Sequence, residues 1–275
     1  MKLKEILRGK LTSSEIKHVP SSFEIVGDIA IFADFPRELR RKEKIVAKSL
    51  MNVHKNIKVV CKKSRKYSGK YRTAKLSILA GEKRKDTMHS ENGCKFLLDA
   101  EKVYFSARSG TERARISNLI KPNENVLVMF SGCGPFTVQA AKKAKKVVSV
   151  EANPVGHKYE MINIELNKIK NASALKGDVK RIIPRLKAKK IFFDRIIMPL
   201  PKDATSFLKE ALSVSKKGTK IHLYTFANKD EIEARKAIIT EMCKKYKKNC
   251  RILDVIKAGE YAPYVHRLCV DFIII

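Results

Sequence analysis

The run SGCGPF at 131–136 follows directly on the apolar segment VLVMF at 126–130. Two glycines one residue apart let the backbone approach a ligand at a distance where a Cβ would collide. Alone, that spacing describes a tight turn as well as a binding loop. Two acids sharpen it. Glu151 closes the segment VVSVE downstream of the loop, where a carboxylate can accept hydrogen bonds from ribose hydroxyls. Asp178 closes KGD, where an acid can receive an adenine amino group. Either acid alone reads equally well as a helix cap; loop and acids in this order describe a nucleoside pocket. Thr137 stands where a dinucleotide fingerprint needs its third glycine, so an adenosyl cofactor without a pyrophosphate is the better fit.

The elements that must position these residues follow from the texture of the chain. From residue 125 onward, strands alternate with helices: 126–130, 146–152, 172–178, 193–200 and 219–226 read as strands, and PVGHKYEMINIELNKI (154–169) as a helix led by Pro154. This alternation predicts a doubly wound, mostly parallel sheet with right-handed crossovers. Two closing extended segments, DVIKAGEY and HRLCVDFIII (266–275), predict an antiparallel edge pair. Before residue 110 the texture is that of a small α+β domain: β-type runs at 23–33, 56–63 and 71–81, with a helical stretch at 36–54. The expected division is an N-terminal extension at 1–21, a small domain at 22–109 and a catalytic domain at 110–275.

Composition narrows the partner. The chain has 275 residues, with 59 Lys+Arg against 28 Asp+Glu, a net charge of +31. Such an excess attracts polyanions, nucleic acid first among them. A lysine-rich thermophilic surface is the bland reading, but its ion-pair networks need acids in comparable number. The basic runs RELRRKEK (37–44) and KKSRKYSGKYR (62–72) suit phosphate contacts. Six cysteines lack C-x-x-C spacing, and five of the six histidines (His18, His54, His89, His157, His222) lack ligand spacing, so no metal site is expected and these five read as structural. Neither a signal-type apolar stretch nor a membrane-length run occurs, which predicts a cytoplasmic protein with no membrane partner.

Five stretches carry a resemblance: TMHSENGCKFLLDAEKVYFSARSGTERARI (87–116), MFSGCGPFTVQAA (129–141), EANPVGHKYEMINIELNKI (151–169), IIMPLPKDATSFL (196–208) and GEYAPYVHRLCVDF (259–272). In content and order they resemble the archaeal and eukaryotic tRNA (guanine-N1)-methyltransferases, which use S-adenosylmethionine to modify the guanosine at position 37, next to the anticodon. The resemblance implies a class I, Rossmann-like methyltransferase domain with a seven-stranded sheet. It implies S-adenosylmethionine as cofactor and the tRNA anticodon stem-loop as partner, with the protein acting as a monomer. The family's separate elbow-binding domain is expected to be absent, since few residues precede Phe23. Two departures stand out: Val128 where the family loop begins with an acid, and Ala107 where F-S-P-R has proline.

Methylating N1 of guanine requires a base for the ring proton and a cation for the charge that develops on O6. By resemblance, Glu124 in PNENV is expected as that base and Arg108 in FSAR as that cation. On residue type alone, both read as solvated loop charges or phosphate contacts. Cofactor contacts are assigned to Phe130, Ser131, Gly132 and Gly134 in the loop, to Glu151 and Ala152, to Asp178 and Val179, and to Met198 and Pro199. The target base is assigned to Pro199, Leu200 and Pro201 of the stiff MPLP loop, to Tyr104 and Ser106, and to Tyr264 and Arg267 of YAPYVHR. Tyr104 and Phe105 read equally as stacking surfaces or core, and YAPYVHR equally as an edge turn shaped by Pro263. Two rival functions remain open: transfer of an aminocarboxypropyl group from the same cofactor in the wybutosine pathway, and a catalytically idle tRNA-binding protein. Methylation of a tricyclic intermediate at the same tRNA position is a further activity of some archaeal relatives.

Overall fold

Continuous apolar runs favour strands covered on both faces. In a computed structural model of the chain, which describes residues 3–69, 71–202 and 204–275, those of the second half assemble into one seven-stranded sheet. The chain divides into two units, Met1–Ala107 and Arg108–Ile275.

The first unit contains α1 (Leu3–Ile6), α2 (Ser13–Lys17), β1 (Glu24–Val26), β2 (Ile29–Phe32), α3 (Glu43–Val53), β3 (Val59–Ser68), β4 (Thr73–Gly81), β5 (Asp86–Glu91) and β6 (Cys94–Asp99). Its sheet runs β1-β2-β3-β4, and β5 and β6 pair separately as a hairpin. Val46, Ala47 and Leu50 of α3 are buried with Phe32, Leu39 and Val60. Leu7, Leu11 and Val19 join the same core, so the residues read as an N-terminal extension pack as part of this unit. A capping box between Thr12 and Glu15 starts α2. The sequence reading has no strand at 86–99; the hairpin there turns on Asn92 and Gly93, both at positive φ (48° and 67°), the preference of a type I′ turn. Of the run 62–72, Lys70 and the side chains of residues 66–68 lie outside the described residues.

The second unit contains α4 (Gly110–Asn118), β7 (Asn125–Met129), α5 (Pro135–Ala141), β8 (Lys146–Glu151), α6 (Pro154–Leu166), β9 (Ala172–Lys176), α7 (Val179–Ala188), β10 (Phe193–Met198), α8 (Leu208–Ser213), β11 (Ser215–Ala227), α9 (Ile232–Lys245), β12 (Cys250–Ala262) and β13 (Val265–Ile274). The sheet order is β12-β13-β11-β10-β7-β8-β9. Strands β7 to β11 are parallel to their sheet neighbours in that group, and β13 is antiparallel to both β11 and β12. This is the class I methyltransferase arrangement. The terminal strand is therefore internal, and β12 forms the edge; the sequence reading placed the antiparallel pair itself at the edge. Strand order reverses between β7 and β10, and a ligand crevice is expected outside their carboxyl ends.

Candidate active site

The glycine loop leaves the carboxyl end of β7 at that crevice. Phe130, Gly132 and Gly134 take positive φ (59°, 60° and 82°), and Gly134 caps α5, whose first residue is Pro135. A Cβ on Gly134 would lie 2.9 Å from Cγ of Glu160, so both backbone and space demand glycine. From below, α6 holds the loop. Glu160, fully buried, accepts from Ser131 Oγ at 2.7 Å and Thr137 Oγ1 at 2.6 Å. Asn163 Nδ2 donates to the Cys133 carbonyl at 2.9 Å. Burial pushes the Glu160 carboxyl up to about 7, against the pull of the two hydroxyl donors. Sequence reading missed Glu160 and Asn163; two polar residues three apart on the helix face that also carries Ile164 are the signal that could have found them.

Glu151 ends β8 and ties two loops together. Its Oε2 accepts from the Gly132 N–H at 2.6 Å and its Oε1 from the Asn153 N–H at 2.6 Å. Burial raises its pKa despite those donors. An ionised carboxylate offers about four lone-pair sites, so it retains acceptor capacity for a diol. Gly156 keeps the space open: a Cβ there would sit 3.3 Å from both the Glu151 Cγ and the Gly132 carbonyl oxygen. Ala152 follows at the rim. Asp178 caps α7, accepting from the Lys180 N–H at 2.9 Å, and Val179 behind it is buried. Phe130 meets Phe207 edge-on with centroids 4.8 Å apart, and Lys180 lies over the Phe207 ring. The positive-φ glycines, the spare acceptors of Glu151 and this aromatic wall fit an adenosyl group. Across the switch point, Met198 ends β10 fully buried, and the Leu200 N–H turns back to the Met198 carbonyl at 2.9 Å. That contact tightens the loop bearing Pro199, Leu200 and Pro201.

Glu124 does not join this group. It precedes β7, at the amino end of the sheet, about 16 Å of strand away from the loop that leaves the other end. Its carboxylate is clamped by Arg195, with Nε to Oε2 at 2.7 Å and Nη2 to Oε1 at 3.0 Å, and Lys220 approaches at 3.6 Å. Burial alone would raise its pKa; the Arg195 bonds and charge outweigh it and hold the carboxyl below its ordinary value. Glu124 compensates a guanidinium that is only 1% exposed, and the expectation of a base at this position is corrected on that geometry.

The carboxylate on the loop side is Glu112, in the first turn of α4, four residues after Arg108. It is buried, accepts from the Tyr224 hydroxyl at 2.6 Å and is gripped by Arg115 through Nε and Nη2, both at 2.8 Å. The Tyr224 ring in turn lies 5.9 Å from that of Phe136, two residues past Gly134. Behind Glu112 a polar chain crosses the sheet. Arg115 Nη1 donates to Asp271 Oδ2 at 2.7 Å, Asp271 Oδ1 meets His222 Nδ1 at 2.6 Å, and His222 Nε2 meets Arg195 Nη1 at 2.6 Å. A guanidinium can only donate, so Nε2 is the acceptor and the proton of a neutral His222 is on Nδ1. Burial lowers the His222 pKa accordingly. His222, Cys269 and Asp271 place metal-type donor atoms within 4.8 Å of one another, but the flanking guanidinia of Arg195 and Arg115 repel a cation there.

Other expected residues divide as follows. Arg108 is exposed and lines an open cleft of 890 Å³ with Tyr261, Tyr264 and His266. Arg267 turns inward, donating to Ser109 Oγ at 2.7 Å and the Ala258 carbonyl at 3.0 Å; it braces the start of α4, and the expectation of a direct substrate contact is corrected. Tyr104 and Ser106 belong to the first unit. There Tyr104 carries the Arg72 guanidinium 5.8 Å above its ring, while Phe105 is core, packed on His89 and Phe96. Among the described residues, no helix is long and apolar enough to cross a membrane.

Comparison with known proteins agrees with this architecture. Residues 87–253 match the TRM5/TYW2 methyltransferase domain, and residues 3–84 match the TYW2 N-terminal domain. The chain is 39% identical over 257 residues to tRNA (guanine(37)-N(1))-methyltransferase Trm5b of Pyrococcus abyssi, covering 93% of this chain and 76% of that one. It is 37% identical over 219 residues to tRNA 4-demethylwyosine(37)-methyltransferase Taw21 of Saccharolobus solfataricus, covering 78% and 79%. Among solved structures, a complex of aTrm5 with tRNALeu superposes with a TM-score of 0.86 at 31% identity, covering 100% of this chain and 78% of that one.

Proposed function

We propose that this chain, which belongs to the TRM5/TYW2 methyltransferase family, methylates N1 of the guanosine at position 37 of tRNA. The cofactor is S-adenosylmethionine, and bound at the glycine loop it supplies an electrophilic methyl group. The observation that carries the reading is the placement of Glu112 and Arg108 on one short segment at the carboxyl edge of the sheet, beside the glycine loop.

Within this reading, Glu151 accepts from the ribose hydroxyls and the Asp178–Val179 turn faces adenine. The prolines of the 198–201 loop hold a planar base that has left its stack. Glu112 accepts the N1 proton, and Arg108 meets the negative charge that then gathers on O6. Arg115 keeps the Glu112 carboxylate oriented and also donates to Asp271. The net charge of +31 supports a polyanionic substrate, with affinity that falls steeply as salt rises.

Two observations favour related activities. The match of residues 3–84 to a TYW2 N-terminal domain favours aminocarboxypropyl transfer. The likeness to Taw21 favours methylation of a tricyclic base at the same position. Purified protein, S-adenosylmethionine and an unmodified tRNA transcript separate these by mass analysis of the nucleosides. A gain of one methyl on guanosine is expected; a gain of one aminocarboxypropyl group, or no gain, overturns the proposal. A transcript carrying the tricyclic precursor then tests the second substrate.

A further inference from the structure

At the tip of the β12–β13 hairpin, Ala262 pairs with Val265 and leaves Pro263 and Tyr264 as a two-residue turn. Tyr264 sits at φ 63°, in the left-handed region that costs a side-chain-bearing residue about 1 kcal/mol or more. A proline-led turn with this geometry takes glycine or asparagine at that position on backbone grounds. The tyrosine ring is also 87% exposed, so packing does not account for it either. Both preferences of the fold argue against this residue, so neither backbone nor packing accounts for the ring.

The cleft it lines has the chemistry of a base. Tyr261 stacks on Phe226 with centroids 4.0 Å apart and 28° between planes, making a flat aromatic wall. Irregular pairing at Lys257/Gly259 and Glu260/Ala262 re-aims that part of β12. Lys229 adds a cation; of the two carboxylates that also line the cleft, Asp230 and Glu260, the latter is paired with Lys257 and His266. Neither Arg108 nor Tyr264 has a hydrogen-bond or ion-pair partner among the described residues. Because Arg108 is the group set against the target base, whatever occupies the rest of this cleft is joined closely to that base.

We propose that the cleft is a second nucleobase subsite, which stacks an unpaired base next to the target in the RNA strand on Tyr264, with Lys229 at the intervening phosphate. The inference rests on the RNA methyltransferase reading above, and the test separates the two. Two RNA hairpins carry 2-aminopurine on the 5′ and on the 3′ side of the target guanosine, and binding is followed by fluorescence without cofactor. The wild-type chain quenches one of the two probes. Tyr264→Asn keeps the left-handed backbone and removes the ring; it abolishes that quench and weakens binding roughly 5- to 100-fold, the range for a lost base–aromatic stack. Tyr264→Phe retains both, and the melting temperature of Tyr264→Asn is not lowered. Quenching and affinity in Tyr264→Asn equal to wild type, or no quench at either probe in wild type, overturn the subsite. Nucleoside mass analysis of the same hairpins after incubation with cofactor reports on methyl transfer by the wild-type chain. Its absence sinks the function, whereas transfer alongside an unaltered quench sinks the subsite alone.

Discussion

Opposite ends of the neighbouring strands β7 and β8 carry similar residue types put to opposite uses. At the amino end, Glu124 spends both oxygens on the buried Arg195 and is sealed from solvent. At the carboxyl end, Glu151 gives each oxygen to one backbone N–H of a loop, and acceptor capacity remains. A charge matched completely inside the protein contributes to stability, and one matched partly at a strand's carboxyl end is available to a ligand. Burial and partner, not residue type, decide which.

The comparison breaks most visibly at Glu112. Glu112→Gln is expected to lower the single-turnover methyl-transfer rate about 10²- to 10⁴-fold, the usual worth of a positioned base, with little change in cofactor affinity by calorimetry. Wild-type turnover in that variant would remove Glu112 from the mechanism. Glu124→Gln is the opposing case. It leaves the Arg195 charge without its counter-ion, and thermal or denaturant unfolding is expected to show a loss of about 3 to 5 kcal/mol, while the folded fraction transfers methyl at close to the normal rate. A rate loss without a stability loss there would reverse the assignment.

Glu160 sharpens the picture through pH. Its folded pKa of about 7 lies above the ordinary 4.5, so its contribution to stability is fully present below about pH 4.5 and lost as pH rises through 7. The slope is worth at most about 3 kcal/mol. Unfolding curves taken across that window should flatten in Glu160→Gln, and an unchanged slope in the variant would assign it to other groups. The smallest effect is expected from Tyr224→Phe. Removing one donor from the buried Glu112 carboxylate costs about 1 kcal/mol, so a fall of about fivefold in the single-turnover rate is expected. A rate equal to wild type would show that the phenol does not act through Glu112.

Much of this was legible along the chain. Alternating strands and helices announced the doubly wound sheet, and SGCGPF, Glu151 and Asp178 could be placed together at one edge of it, because residues just after parallel strands share one edge. The same rule read in reverse would have excluded Glu124, which stands just before a strand. The Asn92–Gly93 turn was likewise a readable hairpin signal. Glu160, Asn163 and Arg195 were not readable in this way: each looks like an ordinary polar residue within a helix or strand. Their burial arises only when α6 lies under the loop and β10 is enclosed.

The sequence by itself determined the class of fold, the order of its parts and the basic charge that suits RNA, because periodicity and composition are properties of the chain alone. Only the tertiary structure decided which carboxylate is held by a guanidinium and which by backbone N–H groups, which arginine is a brace and which tyrosine is left in solvent. Those outcomes depend on which end of a strand a residue occupies and on partners tens to more than a hundred residues away, as Glu112 and Tyr224 are. No local pattern encodes such a pairing.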